Sequence, residues 1–226
     1  MKIATNKVWN PTKDPKLSVW LAYNTNIVDD EGAVSSWTSS VAGTDISWEQ
    51  ETADDQPTKI ASSPIYGVSF AGDEYLTGDQ VTITGTFTIG IKFKILTATA
   101  SNDVLVGDLT TAGHFIRVND TNTVALKNGG GQKSIDVNGA SVFTTNSYHD
   151  MVVSRNGSNL IEIWLNGVKQ TNTNTMSGNF LLDGLGAREG VTNYFSGVIY
   201  EVIISTDQSD ELSLQVSNHL KALRSS

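Results

Sequence analysis

Retaining glycoside hydrolysis needs two carboxylates about 5 Å apart, which one strand can deliver when acids recur at alternate positions. The chain has no Glu-x-Asp-x-Glu run; Glu162 and Glu201 each stand alone in apolar surroundings. His114, His149 and His219 show no His-x₃-His spacing, and cysteine is absent, so the usual zinc-ligand patterns are missing. No Gly-x-Ser-x-Gly elbow presents a serine nucleophile. Gly129-Gly130-Gly131 is not followed by Gly-Lys-Ser/Thr and reads as a turn rather than a phosphate cradle. These residues point away from catalysis, and the expectation is a protein that is not an enzyme.

Binding suits the side chains better. A sugar surface wants an aromatic platform with amides or carboxylates beside it. Trp164 is the leading platform candidate, because alternation sets it opposite Ile163 and Leu165; Tyr148, Tyr194 and Glu162 complete the set. The competing reading for Trp164 is packing beneath a neighbouring element. The Asn- and Thr-rich stretch from Thr171 to Thr175 suits sugar hydroxyls or a plain polar loop.

Such residues must be positioned by strands. From Thr86 to Leu96, Phe87, Ile89, Ile91, Phe93 and Ile95 share one face and Thr88, Gly90, Lys92 and Lys94 the other, which predicts a half-buried strand. Ser196 to Ser205 alternates as well, with Val198, Tyr200, Val202 and Ile204 opposed to Ile199, Glu201 and Ile203. In Leu160 to Leu165, Ile161, Ile163 and Leu165 oppose Leu160, Glu162 and Trp164. Asn-Gly at 128–129, 138–139, 156–157 and 166–167 suits type I′ hairpin turns. One helix is predicted over 210–223, with Leu212, Val216, Leu220 and Leu223 on one face and Ser209 as its cap. The fold class implied is all-β, a two-sheet antiparallel sandwich with a short C-terminal helix. The reading divides the chain into an N-terminal arm, 1–16, and one domain, 17–226.

Composition narrows the partners. The chain has 226 residues and a net charge of −9, which argues against general nucleic-acid binding. No apolar run reaches signal-peptide or membrane-span length, so neither Sec export nor membrane insertion is expected. The arm carries Lys2, Lys7, Lys13 and Lys16 against Asp14 alone, whereas residues 29–55 carry eight acids and no Lys or Arg. That acidic stretch reads as a solvated loop region, or as a cation site or docking face.

Several segments, in order, resemble the laminin-G-like branch of the concanavalin A-like lectin/glucanase superfamily. They are Asn10-Pro11 with Leu17-Ser18-Val19-Trp20-Leu21-Ala22, then Gly32 to Trp37, then Gln56-Pro57-Thr58 with Gly67 to Leu76. Thr86 to Phe93, Tyr148 to Arg155, Ile163 to Gly167, and Phe195 to Ile204 continue the likeness. The resemblance implies a jelly-roll and makes Glu201 and His149 recurrent family positions, Glu201 being a hydrogen-bonded structural carboxylate. It places Trp9, Trp20, Trp37 and Trp48 mostly as core or staple residues. It requires no cofactor but admits Ca²⁺, held by Asp73 and Glu74 near Asp79, or by Asp103 with Asp108. It also implies a phage virion protein, as a capsid decoration or tail-associated component, partnered by other virion proteins and copies of itself. Lys7, Val8 and Trp9 would then serve assembly. The alternative is a glycan-binding, lectin-like module of a bacterial surface protein; a glycoside hydrolase ranks below both.

Overall fold

The computed structural model describes residues 9–23, 25–60, 66–97, 102–110, 113–139, 142–188 and 192–223. Among them the strands are β1 (Leu17–Leu21), β2 (Ile27–Asp30), β3 (Ala33–Thr38), β4 (Ser47–Glu49), β5 (Thr58–Ile60), β6 (Gly67–Ala71), β7 (Leu76–Ile83), β8 (Phe87–Ile95) and β9 (Asp103–Gly107). There follow β10 (Phe115–Val118), β11 (Thr123–Asn128), β12 (Gly131–Asp136), β13 (Tyr148–Arg155), β14 (Leu160–Leu165), β15 (Val168–Lys169), β16 (Asn174–Thr175), β17 (Phe180–Leu185) and β18 (Ser196–Ser205). The helix α1 (Asp210–Ala222) comes last.

Every strand pairing is antiparallel. The first sheet runs β18-β8-β13-β14, with β1 and β6 sharing the far edge of β18. The second runs β4-β7-β17-β9-β10-β11-β12. Pairings of β3 with β4 and β5, and of β5 with β6, carry the hydrogen bonding from one sheet into the other. The inner faces bury one apolar core that includes Trp37, Trp48, Phe70, Phe87, Phe93 and Phe180. The expected all-β sandwich with a C-terminal helix is what forms.

The alternation of β8 is realised, but the strand is buried on both faces. Phe87, Ile89, Ile91, Phe93 and Ile95 fill the core, while Thr88, Gly90 and Lys92 lie under α1. Gly90 makes room for the helix: a Cβ there would stand 2.5 Å from Val216 Cγ1. Leu212, Val216 and Leu220 pack on Leu17, Val152, Trp164 and Ile203, each fully buried side chain contributing about 1.5–3 kcal/mol. Ser209 caps α1 as expected, its hydroxyl accepting from Leu212 N at 3.0 Å.

Three local expectations need correction. In β18 the register against β8 shifts between Ile199 and Glu201, so a bulge reverses the alternation. Ile199, Val202 and Ile204 face the core, whereas Val198, Tyr200 and Ile203 belong to outer clusters. Of the four Asn-Gly steps, only Asn166-Gly167 is a two-residue turn with both φ values positive, 53° and 89°, joining β14 to β15. Asn128 instead ends β11, its side-chain oxygen holding Gly130 N, and Asn156 uses the same device on Ser158 N and Leu160 N. Finally, residues 9–16, assigned to the N-terminal arm, lie on the domain. Trp9 meets His219 edge-on at 5.4 Å, Pro11 is buried, and Asp14 accepts from the Ser205 hydroxyl. Lys7 and Val8 fall outside the described residues.

Candidate functional site

The four residues chosen as a sugar platform do not meet. Trp164 points outward as alternation requires, yet α1 closes over it and leaves it 9% exposed. Lys169 Nζ sits 5.8 Å from its ring and bridges Glu162 at 2.8 Å and Asp210 at 2.9 Å. Trp164 is thus packing and Glu162 an ion-pair partner. Tyr148 lies 5.4 Å from Tyr200 on another part of the same outer face, with Lys94 5.6 Å above its ring. Burial and the bond to Tyr148 push the Tyr200 phenol up. Tyr194 is on the segment after β17, half-buried near Asp55, Tyr75 and Asp73. The Thr171–Thr175 stretch is tied to the β12 edge: Asn172 and Asn174 donate to the carbonyls of Asp136 and Ser134, and Thr171 donates to Asn138.

The groups that could do acid–base chemistry are engaged structurally. Glu201 is fully buried and one oxygen accepts from Trp20 Nε1 at 2.6 Å and meets His219 Nε2 at 2.7 Å. His149 lies tilted against Phe93 and meets Phe143 edge-on. His114 Nδ1 accepts from Leu181 N, and burial holds its pKa below the ordinary value, consistent with a neutral ring. Asp183 takes hydrogen bonds from Leu109 N and the Thr110 hydroxyl, while burial, reinforced by the charge of Asp108, raises its pKa.

The carboxylates named for Ca²⁺ are dispersed. Glu74 accepts from Ala71 N in the β6–β7 turn, whereas Asp79, in β7, accepts from Ser47 N of β4. Asp103 opens β9 and Asp108 follows its far end. Among the described residues, no group of three or more His, Cys, Asp or Glu gathers for a metal.

What the fold does assemble is a cleft of about 270 Å³ lined by Trp20, Ala22, Tyr23, Thr25 and Ser40. Alternation in β1 turns Leu17, Val19 and Leu21 inward and leaves Trp20 half-exposed. Glu201 pins its indole from below, and Trp20 O accepts from Ser40 N at 2.7 Å, fixing the far wall. Asn26, with φ 55°, turns the chain and donates to the Ser40 hydroxyl. Two aromatic rings and two hydroxyl-bearing side chains converge. The sequence reading missed this site because it counted Trp20 as a staple; the outward position of Trp20 in the β1 alternation was the available signal.

Residues 70–211 match the family described as the concanavalin A-like lectin/glucanases superfamily, more than half of the chain. No protein of curated function matches. Among solved structures, domain 4 of AbnA, a GH43 extracellular arabinanase from Geobacillus stearothermophilus in complex with arabinotriose, superposes with a TM-score of 0.62 at 13% identity, covering 91% of this chain and 99% of that one. The binding domain of Paraclostridial Mosquitocidal Protein 1 gives 0.61 at 12% identity, covering 93% of this chain and 52% of that one. The Ruminococcus gnavus IT-sialidase CBM40 bound to alpha2,3 sialyllactose gives 0.52 at 14% identity, covering 66% and 94%. At such identities the likeness shows shared fold.

Proposed function

The chain belongs to the concanavalin A-like lectin/glucanase superfamily, and from that premise we propose that it is a non-catalytic glycan-binding module whose sugar contact is the Trp20–Tyr23 cleft. The observation that carries the reading is the cleft itself: an indole locked by a buried carboxylate, a second ring, and the hydroxyls of Thr25 and Ser40, in a volume on the scale of one sugar ring. An immobilised aromatic loses little entropy when a sugar stacks on it. Two of the solved neighbours are described with bound saccharides, arabinotriose and sialyllactose, which supports this class of ligand. The expectation of a phage virion component draws no support from those comparisons; the lectin-like alternative does.

The test is a glycan array followed by calorimetry. Tyr23→Ala should weaken a positive saccharide about three- to tenfold without changing the melting temperature, as loss of one stacked ring implies. A wholly flat array, or unchanged binding in this variant, would sink the cleft reading. The non-catalytic part is checked separately on β-glucans, galactans and chitin. Turnover that disappears with Glu162→Gln or Glu201→Gln would reverse it.

A further inference from the structure

The outer face of the second sheet holds two cations with no carboxylate partner among the described residues. β10 turns Phe115 and Arg117 outward because Ile116 and Val118 fill the core. Gly186 to Arg188 and Thr192 to Asn193 then lie against β9. Gly186 N donates to Leu105 O, Val104 N donates to Asn193 O, and Arg188 bridges Thr192. Only glycine fits at Gly107, where a Cβ would strike the carbonyl of Ala187. This packing brings Arg188 to the ring already covered by Arg117: the two guanidiniums lie 5.6 and 4.4 Å from the Phe115 centroid.

Their hydrogen-bond partners are neutral. Arg117 Nη2 donates to Asn119 Oδ1 at 2.9 Å, and Arg188 Nε donates to Asn193 Oδ1 at 2.6 Å. Arg117 is 7% exposed, and its Nε has no acceptor. Burial, and then the charge of Arg188, both disfavour its cation. A guanidinium does not deprotonate in proteins, so an anion is what relieves this strain. The chain carries 24 acids against 15 bases, so an internal counter-ion was readily available.

We propose that Arg117 and Arg188 form a receptor for the carboxylate of an acidic saccharide. This subsite rests on the glycan-binding reading and specifies its ligand class. A planar carboxylate matches the guanidinium fork in bidentate pairing. Asn119 and Asn193, half-buried at the rim, place amides where the neighbouring sugar hydroxyls would lie.

The experiment titrates the full chain with a glucuronate-terminated disaccharide and its glucose-terminated counterpart, at low and high salt. The acid should bind about tenfold or more tightly than the neutral sugar, with the preference shrinking as salt screens it. Arg188→Gln should abolish the preference at unchanged melting temperature. Arg117→Lys, which keeps charge but loses the fork, should remove most of it. Equal binding of the two sugars, or an acid preference that survives both variants, overturns the proposal. So does a sulfated disaccharide binding as tightly as the carboxylate. A preference that emerges only in Glu189→Gln also overturns it, since an internal carboxylate would then occupy the pair. Failure of the Trp20–Tyr23 reading is distinguishable. Free glucuronate, followed by NMR at the arginine Nε–Hε signals, reports on the pair alone, and Tyr23→Ala should leave that response intact. Absence of any perturbation there overturns the receptor even where the cleft binds sugar.

Discussion

The two outer faces of the sandwich treat charge in opposite ways. On the first sheet α1 covers the face, and the ionisable groups around it are partnered. Lys92 Nζ is 2.7 Å from Asp150 and donates to Leu220 O, Glu201 meets His219, and Lys169 joins Glu162 to Asp210. On the second sheet no helix covers the face, and Arg117 and Arg188 share a ring without a carboxylate among the described residues. Charge sealed from water must be compensated within the fold, by an opposite charge as at Lys92–Asp150 or by carbonyl dipoles as at Arg155, because an uncompensated buried ion costs several kcal/mol. Charge left unmatched beside a solvent-facing rim is a place for something else to bind.

The largest test of this contrast is Lys92→Met. It takes the cation from a fully buried Asp150 and should cost about 3–5 kcal/mol in urea unfolding, with Lys92→Met/Asp150→Leu recovering most of the loss. A loss below about 1 kcal/mol would mean that charge matching does not hold the covered face.

Next comes Asp103 on the second sheet, whose carboxyl burial pushes up to about 6 from 3.8. A raised folded pKa favours the protonated acid, so Asp103 contributes no penalty below pH 3.8, a growing one between 3.8 and about 6, and its full penalty above. Asp103→Asn should therefore stabilise the protein at pH 8 by on the order of 1–2 kcal/mol after solvent screening, and leave it unchanged at pH 3.5. Equal effects at both pH values would refute the assignment.

Ser209→Ala removes the cap of the covering helix and should cost about 1 kcal/mol, read as a lower urea midpoint at constant slope. The smallest effect belongs to Arg188→Gln, whose stability should stay within about 0.5 kcal/mol of the parent, because no ion pair is lost. A larger destabilisation would make Arg188 a structural residue rather than a receptor.

Much of the fold was legible in the chain. The inward row of β8, the Ile161, Ile163 and Leu165 face of β14, and the Ser209-capped helix all follow from period and capping chemistry. The bulge in β18 was not legible, because alternation there is apolar on both faces and gives no contrast at Tyr200-Glu201. The choice between platform and packing at Trp164 was not legible for a related reason. Period two assigns a residue to a face but does not say whether that face meets water or a helix. Trp20 carried the same outward signal and stays partly exposed, although it too packs against the cluster under α1.

Local pattern, then, determined which residues form strands, where the helix begins, and that no strand delivers paired carboxylates. Tertiary structure decided which outer face is covered, which Asn-Gly steps turn tightly, and which side chains converge. Trp20 meets Ser40, and Arg117 meets Arg188, only after distant segments pack. Such pairings depend on register, on the docking of α1 at Gly90 and on the packing against β9 at Gly107, where contact geometry rather than neighbouring sequence sets the outcome.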